Sequence, residues 1–461
     1  MSPQPPRRRR RSNERGVKRI VSEASAEAVR VAAARLSSRL TDEIWLASNS
    51  RYLSETDSKL SRDIGGKVFV SHVRGSARAT QLTEYVAASA ILHCSDGWGY
   101  LGRAMGAQLQ GDIGASRHLA YYAELRAAMS LLAAQGIGVF NYKQVVVKTS
   151  GDVDVVKQQG THRFTWDALS AWSDLPSSAE AFAAIIRPAD VPLSEWLEPL
   201  TSTAITAATG RSFLLGWGLD VKRFGLDRDA RNESSYRPRT LRGAKAPSSS
   251  RAAEFGRDFW DLFQPEGAGK FGRLDRYLLR RTLEQLFESQ KGKRVAANKE
   301  EFEAYVKQAL GSVQPTIPRD QLQAFLTRSS DPSDPTLLAD AETKGNLEDP
   351  EDHLQVMARA ALLLRGASGF ARALLEEASL SYPEYEWWAA QLAACRALSE
   401  DDEKLEAPED LWAEIGDAIV DLDAKIDGGE TATYMQLHET CARELTLLGG
   451  CERIALWSLA A

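Results

Sequence analysis

Between positions 228 and 239 the chain reads RDARNESSYRPR, and Arg231, Asn232 and Tyr236 within it have the makings of a phosphodiester-cleaving site. The same residues would equally suit a helix end with the tyrosine packed beneath it. Pro238 must stop any helix that carries Tyr236, because proline has no amide hydrogen and restricts the residue before it. The weak member of the trio is the phenol. A hydroxyl with a pKa near ~10 trades protons poorly at neutral pH, whereas an imidazole near ~6.5 does so readily. The sequence holds 6 histidines, and none lies five to seven positions after an arginine. His118 follows Arg117 at the start of a strong helical pattern, and His162 opens another, where Thr161 is the expected N-cap. Arg103, Arg117, His118, Arg126 and His162 could meet Arg231 in space and build a different acid–base pair. Spacing along the chain leaves that open.

Other chemistries lack their residues. GAGKFGR at 267–273 has Phe271 where a phosphate-binding loop needs a Ser or Thr for magnesium, and no glycine stands five residues before Gly269. GxSxG, HExxH and a strand-borne GxGxxG are absent from the sequence. The cysteines (Cys94, Cys395, Cys441 and Cys451) are too few for a disulfide framework and fit a reducing cytoplasm. His438, Cys441 and Cys451 make three potential zinc ligands where four are needed, so neither a metal nor a cofactor is expected. The run Glu400 to Glu403 reads as a solvated acidic face.

Positioning falls to helices. From about residue 20 the apolar residues recur at spacings of three and four, as in Val29, Ala32, Ala33, Leu36 and Leu40. Residues 82–112 read as two helices separated at Ser95-Asp96-Gly97. A strong helix follows, started by Ser116 and stopped by Gly136. The stretch from Gly65 to Val73 reads as a short strand or an extended loop, and Val145–Val147 with Asp152–Val156 as a short β excursion. Further helices cover Trp166–Trp172, 179–186, Leu193–Trp196 and Leu214–Trp217. In the basic middle, Leu274, Tyr277, Leu278, Leu283, Leu286 and Phe287 line one face of an amphipathic helix flanked by Arg273, Arg276, Arg280 and Arg281. The C-terminal section is helical again, without a fixed repeat period.

The expected fold class is therefore mainly α and multi-domain. A basic arm occupies 1–18, a helical domain 19–242, a linker 243–252, a basic helical segment 253–328, an acidic linker 329–350 and an acidic helical domain 351–461. Net charge is −6, but it divides unevenly. Residues 1–40 carry 11 Lys/Arg against 3 Asp/Glu, residues 221–300 carry 19 against 11, and residues 331–461 carry 9 against 28. Basic regions of this kind track a phosphate backbone or dock on acidic surfaces, their own or a partner's. Arg7, Arg8, Arg9, Arg10 and Arg11 would make a salt-sensitive nucleic-acid contact or a solubilising tail. No run approaches the ~20 apolar residues of a membrane span, and no apolar stretch behind the N-terminal arginines marks a secretory signal. A cytoplasmic protein is expected.

GDIGASRHLAYYAELRAAMSLLAAQG resembles the Ala-Tyr-Tyr-Ala helix of the HEPN superfamily, through Ala120, Tyr121, Tyr122, Ala123, Ala127, Leu131 and Leu132. Members are small all-α domains of prokaryotic RNases, toxins and antiviral systems. Many carry a later Arg-Asn-x-x-x-His, typically used across a dimer, and Arg231-Asn232-x-x-x-Tyr236 fills that slot here. The resemblance covers about 80–240 and implies an RNA- or partner-binding component of a defence or stress system, an oligomer, with catalysis lost along with the histidine. It leaves two alternatives. One is an active endoribonuclease using Arg231 with Tyr236 or with a histidine brought close by folding. The other is a DNA-binding component that uses the basic arm and Arg273–Arg281.

Overall fold

The computed structural model describes residues 16–36, 72–73, 77–140, 144–156, 160–200, 209–236, 247–311, 313–331, 333–343, 349, 351–380, 407–427 and 433–459. Arg7 to Arg11, the segment from Gly65 to Ser71, Cys395 and Glu400 to Glu403 lie outside them. In chain order the elements are α1 (Ala26–Ala33), β1 (His72–Val73), α2 (Ala77–Leu109), α3 (Ile113–Ala134), β2 (Ile137–Val139), β3 (Gln144–Val147), β4 (Val153–Val156), α4 (Thr161–Ser173) and α5 (Pro176–Ile185). There follow α6 (Leu193–Leu197), α7 (Gly210–Gly216), α8 (Phe224–Tyr236), α9 (Ser249–Leu262), α10 (Gly272–Lys291), α11 (Lys299–Leu310), α12 (Arg319–Thr327) and α13 (Leu337–Glu342). The last are α14 (Asp352–Glu377), α15 (Leu411–Asp427), α16 (Tyr434–Leu448) and α17 (Glu452–Leu459). The mainly α class is as expected.

Small residues decide how the centre is built. α2, α3 and α14 pack against one another more extensively than any other elements. A helix buried on most sides has no amphipathic stripe, and α3 is such a helix: Arg117, Ala120, Tyr121, Ala123, Glu124, Ala127 and Leu131 are buried, while His118 and Tyr122 are half-buried. Alanine keeps its neighbours close. The break expected at Ser95-Asp96-Gly97 is absent, and α2 runs through it unbroken. Gly97 is where α14 leans in, since a Cβ there would meet Leu364 Cδ2 at 2.6 Å. Helix packing overrides the weak helix propensity of glycine at such a crossing.

α3 starts earlier than its sequence signal. Asp112 caps it by accepting from the Ala115 amide at 3.1 Å, while Ser116 is buried with its hydroxyl 3.2 Å from Met357 Sδ. Gly136 does end the segment, with φ +86° and backbone atoms of Ser25 2.9 Å from where a Cβ would sit. Beyond it lies an antiparallel four-stranded sheet in the order β1-β4-β3-β2. Val145 faces Val155, and Ile137 faces Val146. β3 and β4 match the expected excursion; β2 was not foreseen. Gly160, not Thr161, is the residue before α4, and the Thr161 hydroxyl donates to Phe140 O at 3.2 Å.

The stretches of linker composition are partly helical. α9 begins at Ser249, inside 243–252, with the Ser248 hydroxyl accepting from the Arg251 amide at 3.1 Å. α13 lies inside 329–350. Contacts cross both stretches. Gln108 Nε2 donates to Ala252 O at 3.0 Å, Trp217 Nε1 to Thr282 Oγ1 at 3.0 Å, and Trp260 Nε1 to Leu448 O at 2.9 Å. One apolar cluster extends from Val17 to Leu459. The basic middle meets the chain's own acidic residues, as in Arg251 with Asp340 and Glu351, Lys270 with Glu409, and Arg257 with Asp423.

Three buried ion pairs tie α14 to its surroundings. Arg117 of α3 bonds Asp352 at 2.7 Å. Arg365 grips Asp275 of α10 at 2.6 and 2.7 Å and also donates to Ile185 O at 2.8 Å. Arg359 holds Asp227 of α8 at 2.8 and 3.0 Å, with Glu124 of α3 at 3.5 Å. Charges buried this way fix relative placement, because removing one partner strands the other without water.

Candidate functional site

Two anchors set the position of α8, which carries the Arg-Asn pair. Phe224 stacks on Trp166 of α4 at 4.7 Å between centroids and 15° between planes. One turn on, Asp227 is held by Arg359. Arg231 follows Asp227 by four residues and so lies along the same face. Its guanidinium carbon stands 5.2 Å from the ring centre of Tyr121 and 5.3 Å from that of Tyr122, within cation–π range.

Two imidazoles join it. His118 precedes Tyr122 by one turn of α3, and their ring centroids are 5.2 Å apart. His162, in the first turn of α4, lies parallel to Tyr121 at 5.7 Å and meets Tyr122 edge-on at 6.0 Å. Its Nδ1 is 2.8 Å from the Tyr121 hydroxyl, which also accepts from Trp166 Nε1 at 3.3 Å. Tyr122 is thus the hub around which His118, His162 and Arg231 gather. His118, Tyr122, His162 and Arg231 are all half-buried, so the cluster reaches the surface.

The local field is positive. Burial first, and then the Arg231 charge, lowers the pKa of His118. Burial, then Arg231 and Arg228, lowers that of His162. In both rings the environment favours the neutral imidazole over the charged form. Burial raises the Tyr121 phenol above its ordinary value. Beneath the rings, burial, reinforced by Asp227, pushes the Glu124 carboxyl well above the usual carboxylate range.

A second group adjoins the first. Tyr100 stacks on Tyr122 at 5.4 Å and 25°, and the guanidinium carbons of Arg103 and Arg126 lie 4.6 and 5.9 Å from the Tyr100 ring centre. Arg126 also donates to His93 Nδ1 at 2.8 Å and pairs with Asp96 at 3.5 Å. Burial and then the Arg126 charge lower the His93 pKa to about 3.

Of the residues singled out by sequence, folding brings His118, His162 and Arg231 together. Arg126 sits beside them through Tyr100, and Arg117 is committed to Asp352. Asn232 is half-buried on α8. Tyr236 is 82% exposed at its end, so it neither packs beneath the helix nor joins the cluster by any ring contact or hydrogen bond among the described residues. The flank expected to touch nucleic acid is engaged internally. Arg273 pairs with Asp261 at 2.7 Å, Arg276 with Glu266, Arg280 with Glu284 at 3.1 Å, and Arg281 with Glu342 at 3.0 Å. Cys441 and Cys451 are buried while His438 is exposed, and the described residues contain no group of three or more potential metal ligands.

Sequence reading missed Tyr100, Trp166 and Arg228. A signal for Trp166 existed, because His162 and Trp166, like His118 and Tyr122, are four apart on a helix and share a face. Nothing along the chain linked Asp227 to Arg359. No protein-family model, no curated protein and no solved structure matches the chain.

Proposed function

We propose that the chain is an RNA-directed, HEPN-like component of a prokaryotic defence or stress system, with His118, His162 and Arg231 as its phosphodiester site. The observation that carries this reading is the convergence of two imidazoles and a guanidinium on Tyr122. The resemblance supports it too, since the Ala-Tyr-Tyr-Ala helix and the Arg-Asn pair are in contact. Arg231 supplies positive charge for a phosphate, and Tyr122 and Tyr100 offer aromatic surface for unpaired bases. Neutral His118 accepts the proton of a ribose 2′-hydroxyl. The freed oxygen attacks phosphorus, the bond to the 5′-oxygen breaks, and that oxygen takes a proton from water. A 2′,3′-cyclic phosphate and a 5′-hydroxyl result. Tyr236, exposed and apart, has no part in this.

A second reading, RNA binding without cleavage, is favoured by the pKa directions: with both imidazoles neutral, no strong acid stands ready for the leaving oxygen. Incubation of the full chain with total RNA decides between them. Cleavage lost in Arg231→Ala and His118→Gln but kept in Tyr236→Ala supports the first. Intact RNA combined with an Arg231-dependent, salt-sensitive gel shift supports the second. Neither cleavage nor binding to RNA, or binding to duplex DNA alone, overturns both.

A further inference from the structure

The Tyr121 hydroxyl does more than fill space. Tyr121 is fully buried, so its proton cannot go to water. Its oxygen already accepts from Trp166 Nε1, an indole nitrogen that can only donate. Among the described residues, the acceptor left for the phenol proton is His162 Nδ1, at 2.8 Å. A ring nitrogen that accepts carries no hydrogen, so a neutral imidazole must then hold its proton on Nε2. The opposite tautomer, with Nδ1–H donating to the phenol, leaves a buried hydroxyl hydrogen without an acceptor, at a cost of about 1–3 kcal/mol. The doubly protonated ring suffers the same defect, and it also adds a positive charge beside Arg228 and Arg231.

We infer that Trp166 and Tyr121 lock His162 as a neutral imidazole with its proton on Nε2, making it a fixed hydrogen-bond donor to a phosphoryl oxygen and not an acid or base. The inference about the ligand rests on the proposed RNA site; the locked tautomer does not. Among the described residues, the titratable and charged groups that face His162 are Tyr121 and Tyr122 from α3 and Arg228 and Arg231 from α8. None of them is an anion that would stabilise an imidazolium. The lowered pKa of the ring agrees with the geometry. His162 and Arg231 then form the anion clamp, and His118 is left as the sole titrating catalyst. His162 becomes a binding residue, with Tyr121 and Trp166 as positioning residues behind it.

The test uses the full chain with ¹⁵N-labelled histidine. Two-bond ¹H–¹⁵N spectra separate the protonated nitrogen of each ring from the bare one, and His162→Gln assigns the ring by the loss of its signals. The expected result is an Nε2–H pattern for His162 that stays unchanged between about pH 5.5 and 8, while His118 titrates. Adding inorganic phosphate should shift the His162 Nε2 signal without protonating Nδ1. In Tyr121→Phe, which keeps the ring under Arg231, the lock is gone and His162 should titrate. An Nδ1–H pattern, or titration of His162 in the wild type, overturns the inference. A phosphate-insensitive Nε2 signal overturns the donor role alone. Where RNA is cleaved, the wild type should show a pH profile with one limb and Tyr121→Phe a second limb; a bell-shaped wild-type profile also overturns it. Absence of RNA cleavage would count against the proposed function only, because the spectra read the tautomer regardless of activity.

Discussion

Replacing Glu124 by glutamine should change how stability depends on pH, by an amount set by where this carboxyl sits. Glu124 is fully buried beside Asp227 and Arg359, and burial is the main reason its folded pKa lies well above the usual carboxylate range. In the unfolded chain it titrates near ~4.3. Between those two values the folded protein holds a proton that the unfolded chain has released. Wild-type stability therefore falls as pH rises through this window. Glutamine resembles the protonated carboxyl in shape and still offers a donor to Asp227, but it cannot titrate. Between pH 5 and pH 6 the variant should gain on the wild type by up to about 1.3 kcal/mol, the limit that the linkage relation sets for an unfolded pKa of ~4.3 when the folded group keeps its proton. Other groups cancel in the comparison. Urea unfolding followed by tryptophan fluorescence, on both proteins at both pH values, measures it. A difference that does not change with pH would refute the reasoning, because Glu124 would then be an ionised partner of Arg359 in the fold.

Other outcomes follow from single sites. Tyr236→Ala should alter stability by no more than about 0.5 kcal/mol by chemical denaturation, as expected for an exposed side chain. Gly136→Ala should destabilise by more than about 1 kcal/mol in the same assay, because φ is +86° and the Ser25 backbone occupies the space. Arg365→Met should cost about 3–5 kcal/mol by stranding Asp275, and much of that should return in Arg365→Met with Asp275→Asn. If RNA is cleaved, the activity should fall on acidification with a midpoint below ~6.5, since burial and Arg231 lower the His118 pKa.

How much of this was readable along the chain differs element by element. The pattern of α3, from alanine spacing to Gly136, was visible, as were β3, β4 and the amphipathic α10. The continuity of α2 was not, because Ser95-Asp96-Gly97 has the local composition of a break. Only the approach of Leu364, far along the chain, shows why glycine stands there. The polar starts at Ser116 and Thr161 misled for a related reason. Both hydroxyls are spent on tertiary partners, Met357 and Phe140, while Asp112 caps α3. The basic flank of α10 also looked available, since its acidic partners Asp261, Glu266 and Glu342 are spread over three other segments.

The sequence by itself determined a mainly α chain, a helix with Tyr121 and Tyr122 in it, and an arginine with chemistry's residue types near it. Helical periodicity and residue chemistry are local properties, legible within a few turns. Tertiary structure decided which of those residues meet. Phe224 on Trp166 and Asp227 on Arg359 set α8 over α3, placing Arg231 with His118 and His162 and leaving Tyr236 in solvent. These anchors join positions as much as 132 residues apart, where no periodic signal can carry the information.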